Sequence, residues 1–466
     1  MKNAFRWIIV ISIFILVYLI PAPEGVTAQA WNMLAIFVAT IVGLVLQPLP
    51  MGAVVILGVA ASIMIKAVSY RDAMAGFANA TVWLIVIAFI FARAFIITGL
   101  GRRIAFLFIR SFGKKTLGLA YAIALSDLVL APATPSNTAR AGGILFPVVQ
   151  SLAHAFDSKK GNTARRIGAY LIKMEYQCVI VTSAMFMTAM AANFLAAELA
   201  ENIASIRVSW GMWALGGIVP GIISLALIPI ILYKLYPPEI KRTPEAVELA
   251  RVELKKLGPM TRNEKALMVV FSGVLTLWIT SQIHKFNATS VALVGLSALL
   301  LFQVIRWDDV LKEKGAWDAL VWFGGLVMMA GQLNELGIIS WFADNVSGFV
   351  EGWHWMPALI VLLLIYFYAH YGFASMTAHI TALYPAFLLV AIAAGAPAYL
   401  AALSLGYFSN LNASMTHYAT GPSPIYFGSG YIELKAWWKL GFIISVVNIL
   451  IWIGVGFPYW KILGLW

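Results

Sequence analysis

Two short stretches concentrate the polar chemistry of an otherwise apolar chain. The first reads Ala133-Thr134-Pro135-Ser136-Asn137-Thr138-Ala139-Arg140-Ala141-Gly142-Gly143, the second Gly372-Phe373-Ala374-Ser375-Met376-Thr377-Ala378-His379. Each interrupts a long apolar segment near its middle, over 115–155 and 353–395. Hydroxyls, an amide and unpaired backbone N–H groups at such a break are what a carboxylate needs. Broken helices persist inside a membrane only when buried in protein or lining a cavity, and their N-terminal dipole ends attract anions. The competing reading is that Ser and Thr glue helices together, as they commonly do in spans. One isolated Ser-x-Thr fits that reading; two copies at matching breaks favour an anion site.

The two copies lie in register. Val82-Trp83 matches Val321-Trp322, a shift of 239 residues, and the same shift carries Ser136 onto Ser375, Thr138 onto Thr377 and Arg140 onto His379. Each unit then reaches an aromatic-Pro pair, Phe146-Pro147 and Tyr384-Pro385, with one residue deleted in the second. An odd number of spans plus one hairpin per unit predicts repeats inverted in the membrane. Secondary transporters are built this way, with a site at the repeat interface near the midplane.

The elements that must position these tips are transmembrane helices. Of the 466 residues, 62% are hydrophobic and 11% charged, where soluble domains carry roughly 25% charge, and mean hydropathy is +0.88. That excludes a soluble enzyme, a nucleic-acid-binding module and a disordered scaffold. Apolar runs lie near 4–22, 30–48, 52–70, 82–99, 168–196, 208–236, 265–283, 288–305, 317–335, 397–415 and 435–457. The expected fold is therefore all-α and polytopic, with about 11 transmembrane helices plus two re-entrant hairpins that return to their own side.

With the hairpins returning, basic residues collect on one side. Arg102, Arg103, Arg110, Lys114 and Lys115, then Lys159, Lys160, Arg165 and Arg166, then 237–265 all fall inside; 336–352, with Asp344 and Glu351, falls outside. This placement explains the net charge of +12 without nucleic acid and predicts an inner (plasma) membrane protein with a cytoplasmic N-terminus. Met1 to Pro23 reads as a retained first helix rather than a cleaved signal.

The stretch 241–265 has a helix start at Thr243-Pro244-Glu245, with Thr243 as N-cap, and an end at Gly258-Pro259. Val247, Ala250, Leu254 and Leu257 share a face, predicting a short amphipathic helix at the membrane surface; a solvated linker between halves explains it equally. Arg93, Asp127, Lys173 and Glu175 lie within apolar runs and read as structural pairs across helices. His370 and His417 read as satisfied core histidines, with cavity lining as the alternative. Cys178 is single, so no disulfide or metal site is expected. No catalytic constellation or cofactor motif is present in the sequence, and no enzyme activity or cofactor is expected.

Ser136-Asn137-Thr138 and Ser375-Met376-Thr377 resemble the paired Ser-Asn-Thr signatures of the divalent anion:sodium symporter family. Ala419-Thr420-Gly421-Pro422-Ser423-Pro424 resembles that family's second Ala-Thr-Pro-Pro-Asn segment. The likeness spans nearly the whole chain. It is nearest to the branch of citrate/succinate antiporters and 2-oxoglutarate/malate translocators, on Leu100-Gly101-Arg102-Arg103, Ser136 to Gly143 and Ser375 to His379.

The resemblance implies a homodimer working by an elevator motion. Its substrate, a di- or tricarboxylate (2-oxoglutarate, malate, succinate, fumarate or citrate), would be held by Ser136, Asn137, Thr138, Ser375, Thr377, Thr420, Pro422 and Ser423. The implied division is 1–112 and 262–350 as scaffold, 113–236 and 351–466 as transport body, and 237–261 as cytoplasmic linker. The segments 101–112 and 338–350 would be hinged arms.

The chain departs from the sodium-coupled pattern. Met376 replaces the second Asn, Gly421 and Ser423 replace Pro and Asn, and Met190-Ala191-Ala192-Asn193 keeps only the Asn of the first segment. Arg140 and His379 stand two residues after each Thr, where sodium-coupled relatives usually have Thr. A guanidinium in a span costs at least about 2.5–3.5 kcal/mol, so it is rarely idle. The expectation is that Arg140 and His379 compensate the substrate's charge in place of sodium. An empty site would then carry about one or two fixed positive charges, the second depending on pH at a histidine of ordinary pKa about 6.5, and only exchange would be permitted.

Overall fold

The computed structural model describes residues 2–350, 352 and 354–466; Glu351, one of the two acids expected outside, lies beyond the described residues. Among the described residues all regular elements are helical. Eight helices are long and apolar enough to cross a membrane, and Asn3–Leu19, Met51–Met64 and Ala288–Leu301 are shorter apolar ones.

Each broken segment is a helix–break–helix hairpin. The first runs Thr116–Leu130, a 3-10 turn Ala131–Ala133, then the π-helical Thr138–Leu145 and Phe146–Ala155. The second runs Trp355–Ala369, a 3-10 turn His370–Gly372, then Met376–Ala393. The 239-residue shift carries the first 3-10 turn onto the second, so the repeat holds at the level of backbone geometry.

The base of the first hairpin is tied to the segment 239–243, and that of the second closes on itself. Thr116 N donates to Lys241 O (3.1 Å) and Thr243 N to Lys114 O (2.9 Å). Glu239 N and Ile240 N donate to Arg165 O and Arg166 O, so the basic loops around 114, 165 and 240 share one end of the molecule. At the second base, Ala358 packs with Ala394, and a Cβ on Gly395 would stand 3.9 Å from Trp355 Cβ.

Two expected spans are not continuous. The run 168–196 divides into Gly168–Met185, a 3-10 turn Met187–Ala189 and Ala191–Ala204. The run 397–415 holds Ala398–Leu411 and ends in a 3-10 turn Asn412–Ser414, and a short helix Pro422–Gly428 follows beyond it. Hydropathy does not register these breaks because side chains satisfy the freed carbonyls internally. Asn193 Nδ2, for example, donates to Ser183 O (2.8 Å) and Phe186 O (3.0 Å).

The linker helix Pro244–Leu257 forms where expected, but its face does not meet lipid alone. Ala246, Val247 and Ala250 are buried, and the helix packs on Leu100–Phe112 and Phe146–Ala155. Thr243 occupies the N-cap position without a side-chain cap, and its hydroxyl donates to Gly113 O (2.7 Å).

The helices at 100–112 and 338–350 each follow a left-handed glycine, Gly99 (φ 77°) and Gly337 (φ 80°). A side chain at either position would be strained, so glycine allows one helix to end and the next to turn away at once.

Candidate anion site at the hairpin tips

Both tips present serine in the same geometry. Ser136 Oγ accepts from Ala139 N (3.1 Å) and Ser375 Oγ from Ala378 N (3.3 Å), so each serine caps the limb that follows it. A capping hydroxyl accepts through its oxygen and keeps its own hydrogen for a ligand. The hydroxyls of Thr138 and Thr377 make no hydrogen bond among the described residues, which leaves two further donors in symmetric positions.

The segment 412–423 joins the tips. Asn137 Nδ2 donates to Thr420 Oγ1 (3.0 Å), binding the first tip to it. Gly421 lies against Thr138 so closely that a Cβ there would collide with Thr138 Oγ1. The glycine that replaces the family's proline is therefore required by the approach of the two segments. On the other side, His370 Nε2 faces Ala419 O (3.0 Å) and Tyr418 OH donates to Tyr371 O (2.9 Å).

Pro422 and Ser423 lie behind the segment. Ser423 is fully buried; its Oγ accepts from Thr420 N (3.1 Å) and meets Tyr176 OH at 2.6 Å, while Tyr176 donates to Ala413 O (2.8 Å). Its hydroxyl is spent on holding the segment's turn, so it shapes the wall and has nothing left for a ligand.

Arg140 departs most from the sequence reading, which expected a free positive charge at the site. It is 0% exposed, and its Nε donates to Asp127 Oδ1 at 2.7 Å. Nη1 donates to Thr134 O (3.1 Å) and Ala189 O (2.9 Å), and Nη2 to Thr182 Oγ1 (3.3 Å) and Ser183 Oγ (3.0 Å). A guanidinium has five N–H donors, and all five are used. Arg140 therefore cannot touch a substrate directly, and Asp127 cancels its charge. An unpaired guanidinium inside the bilayer is too costly to leave alone, which is why a carboxylate from the opposite limb meets it.

His379 is likewise fully buried, so the expected exposed second charge is not at the surface of a site. Its Nε2 faces Tyr366 O (3.0 Å) and its ring packs against His370, Phe373 and Tyr366. No carboxylate pairs with either histidine among the described residues. His417 packs against Phe427 and its Nδ1 accepts from Trp438 Nε1 (3.3 Å).

The sequence reading missed the partners: Asp127, Thr182 and Ser183 around Arg140, and Tyr366 and His370 around His379. The available signal was an acid in an apolar run 13 residues before Arg140.

A cavity of about 640 Å³ lies apart from the tip residues, walled by Asn79 to Leu84, by Trp278 to Thr289 and by the stretch from Met187 to Trp210. At its wall Asn79 Nδ2 donates to Glu198 Oε1 at 2.7 Å.

Paired helix breaks buried in a helical bundle, with unspent hydroxyls at both, are the architecture of a multi-pass membrane transporter. The whole chain, residues 1–466, matches the family described as the sodium:sulfate symporter transmembrane region. The chain belongs to that family, the divalent anion:sodium symporters. YflS of Bacillus subtilis (strain 168), named as a candidate malate transporter, is 51% identical over 460 residues, covering 98% of this chain and 96% of that protein. Dicarboxylate transporter 1, chloroplastic, of Spinacia oleracea is 47% identical over 455 residues, covering 97% and 80%. The fold is similar to the crystal structure of the Alcanivorax borkumensis YdaH transporter, with TM-score 0.59 at 14% identity, covering 86% of this chain and 90% of that one.

Proposed function

We propose that the chain exchanges di- and tricarboxylates (2-oxoglutarate, malate, succinate, fumarate and citrate) across the inner membrane without sodium. One observation carries the sodium-independence. The carbonyls freed at the helix breaks, which would otherwise attract a hard cation, are already met by the chain's own donors. Thr134 O and Ala189 O are taken by Arg140, and Tyr366 O and Ala419 O by His379 and His370. The names of the relatives support the substrate class.

Exchange does not rest on a free charge at Arg140. The empty site instead leaves unspent hydroxyls and two serine-capped helix N-termini, each worth roughly +0.5 charge, without a counter-charge. A dianion satisfies both at once, so the loaded body crosses more readily than the empty one. In this reading 113–236 and 351–466 move together against 1–112 and 262–350, which form the dimer contact, with 101–112 and 338–350 as arms and the N-terminus cytoplasmic. The seam cavity, the Asn79–Glu198 bond and the glycines before each arm fit such a motion.

The test is uptake of labelled malate into proteoliposomes preloaded with malate, with sodium replaced by choline. Unchanged uptake is expected, and stalling when the vesicles hold no substrate. Loss of uptake in choline would establish sodium symport instead, and leakage of a gradient without counter-substrate a channel. Cysteine pairs placed across the seam should cross-link in only one facing state.

A further inference from the structure

The helix Gly168–Met185 runs through the bundle with every residue buried. Lys173 and Glu175 stand two positions apart on it, so they leave on different sides and do not pair. Lys173 turns to the helix Leu434–Ile451, its Nζ 3.8 Å above the Trp437 ring. Glu175 turns toward the first hairpin and Tyr426. Both of its carboxyl oxygens are buried, and among the described residues the Tyr426 hydroxyl is the one polar side-chain group within reach of them.

The groups facing Glu175 are few. Asp127 comes from Thr116–Leu130, Arg140 from Thr138–Leu145 and Tyr426 from Pro422–Gly428, while Cys178 is a turn along its own helix. The other packed helices bring charge only near their ends: Arg165 and Arg166 in Ala164–Arg166, His154 in Phe146–Ala155, Lys234 in Trp210–Leu235, Lys435 and Lys439 in Leu434–Ile451, and none in Ala398–Leu411.

Among the described residues no cation near it is free to pair. Arg140 has spent all five donors, and Asp127 uses one oxygen on Arg140 and the other on the Thr182 hydroxyl. Tyr426 donates to Ala141 O (3.2 Å). A negative Glu175 would be a buried, unpaired charge beside a second carboxylate, and a proton removes that cost.

We propose that Glu175 is a proton-binding site linked to the anion site, so that the carrier holds a proton on Glu175 whenever it holds its dianion. The proton comes from water and returns there; no other bond changes. The link is short. Tyr426 belongs to the helix that follows Thr420, and Ser423 of that helix bonds Tyr176, the neighbour of Glu175. A dianion at Asn137, Thr138 and Thr420 adds negative charge within one turn of Arg140, and Glu175 is the carboxyl there that has room for a compensating proton. Toward alkaline pH the empty carrier sheds this proton, and binding recovers it.

The inference rests on the dicarboxylate reading, and the experiment separates the two. Malate binding to the purified protein is measured by calorimetry in buffers of different ionisation enthalpy, from neutral to alkaline pH, where malate itself is fully ionised. The wild type should take up as much as one proton per malate at the alkaline end, and its affinity should fall there by up to about tenfold per pH unit. Glu175→Gln should bind malate with no proton uptake and with an affinity that no longer falls. Malate binding by the wild type without proton uptake at any pH overturns the proton site while leaving the dicarboxylate reading intact, and this holds whether or not the variant folds. Wild-type uptake retained by Glu175→Gln also overturns the proton site. No malate binding by the wild type overturns both readings.

Discussion

At the first hairpin tip, the carbonyls freed by the helix breaks are met by a guanidinium that brings its own carboxylate. At the second, they are met by two imidazoles with no acid beside them. The backbones are otherwise matched: the same 3-10 turn, the same serine cap and the same unspent threonine two residues on. The inverted repeat thus fixes where the broken helices need donors, and leaves open whether an ion pair or a ring N–H supplies them. The ionic solution ties together four elements, since Arg140 bonds its own tip, the helix before it, the helix Gly168–Met185 and the break at 187–189. The imidazole solution ties each ring to one carbonyl, with the Asn412 amide against the other nitrogen of His379.

The largest effect should come from breaking the ionic tip. Arg140→Gln leaves Asp127 buried and unpaired and should cost about 3–5 kcal/mol of stability, with loss of exchange. Adding Asp127→Asn should recover part of the stability, and the double-mutant cycle read by thermal unfolding measures the coupling.

Next, Asn137→Ala and Thr377→Ala test whether both tips grip the anion. A hydrogen bond to a charged group is worth about 1.5–3 kcal/mol, so each should weaken malate binding roughly ten- to a hundredfold with folding intact. Wild-type affinity in both would remove the tips from the site.

At the second tip, His379→Phe keeps a ring in place and leaves Tyr366 O unmet, for about 1–3 kcal/mol. A loss equal to that of Arg140→Gln would erase the contrast between the tips. Gly421→Ala forces the joining segment off the first tip, at a similar cost of about 1–3 kcal/mol. Thr138→Ala in the same chain should relieve it, because the remaining Cβ stands 3.2 Å away.

The smallest effect belongs to the seam. Glu198→Ala removes its bond to Asn79 and leaves that residue's cap on Thr81 and Val82 in place. About 0.5–1.5 kcal/mol is expected, seen as a shift in the balance of facing states by cross-linking and not in malate affinity.

The sequence by itself determined the membrane setting, the helical class, the two hairpins and their residues. Hydropathy, the 239-residue register and the polar interruptions at 133–143 and 372–379 are local patterns, and lipid permits few structures that satisfy them. The charge state of the site was decided only by the tertiary structure. Whether Arg140 is a free cation or half of a pair depends on Asp127, which lies on the opposite limb of the hairpin, and on carbonyls freed by a break at 187–189 that hydropathy does not register. The same holds for Gly421, which reads as a lost proline until Thr138 is seen against it, and for Glu175, whose lack of a free cation beside it appears only once every neighbour's donors are accounted for. Local pattern fixes where a chain must break inside a membrane; which buried charges meet depends on contacts between distant segments.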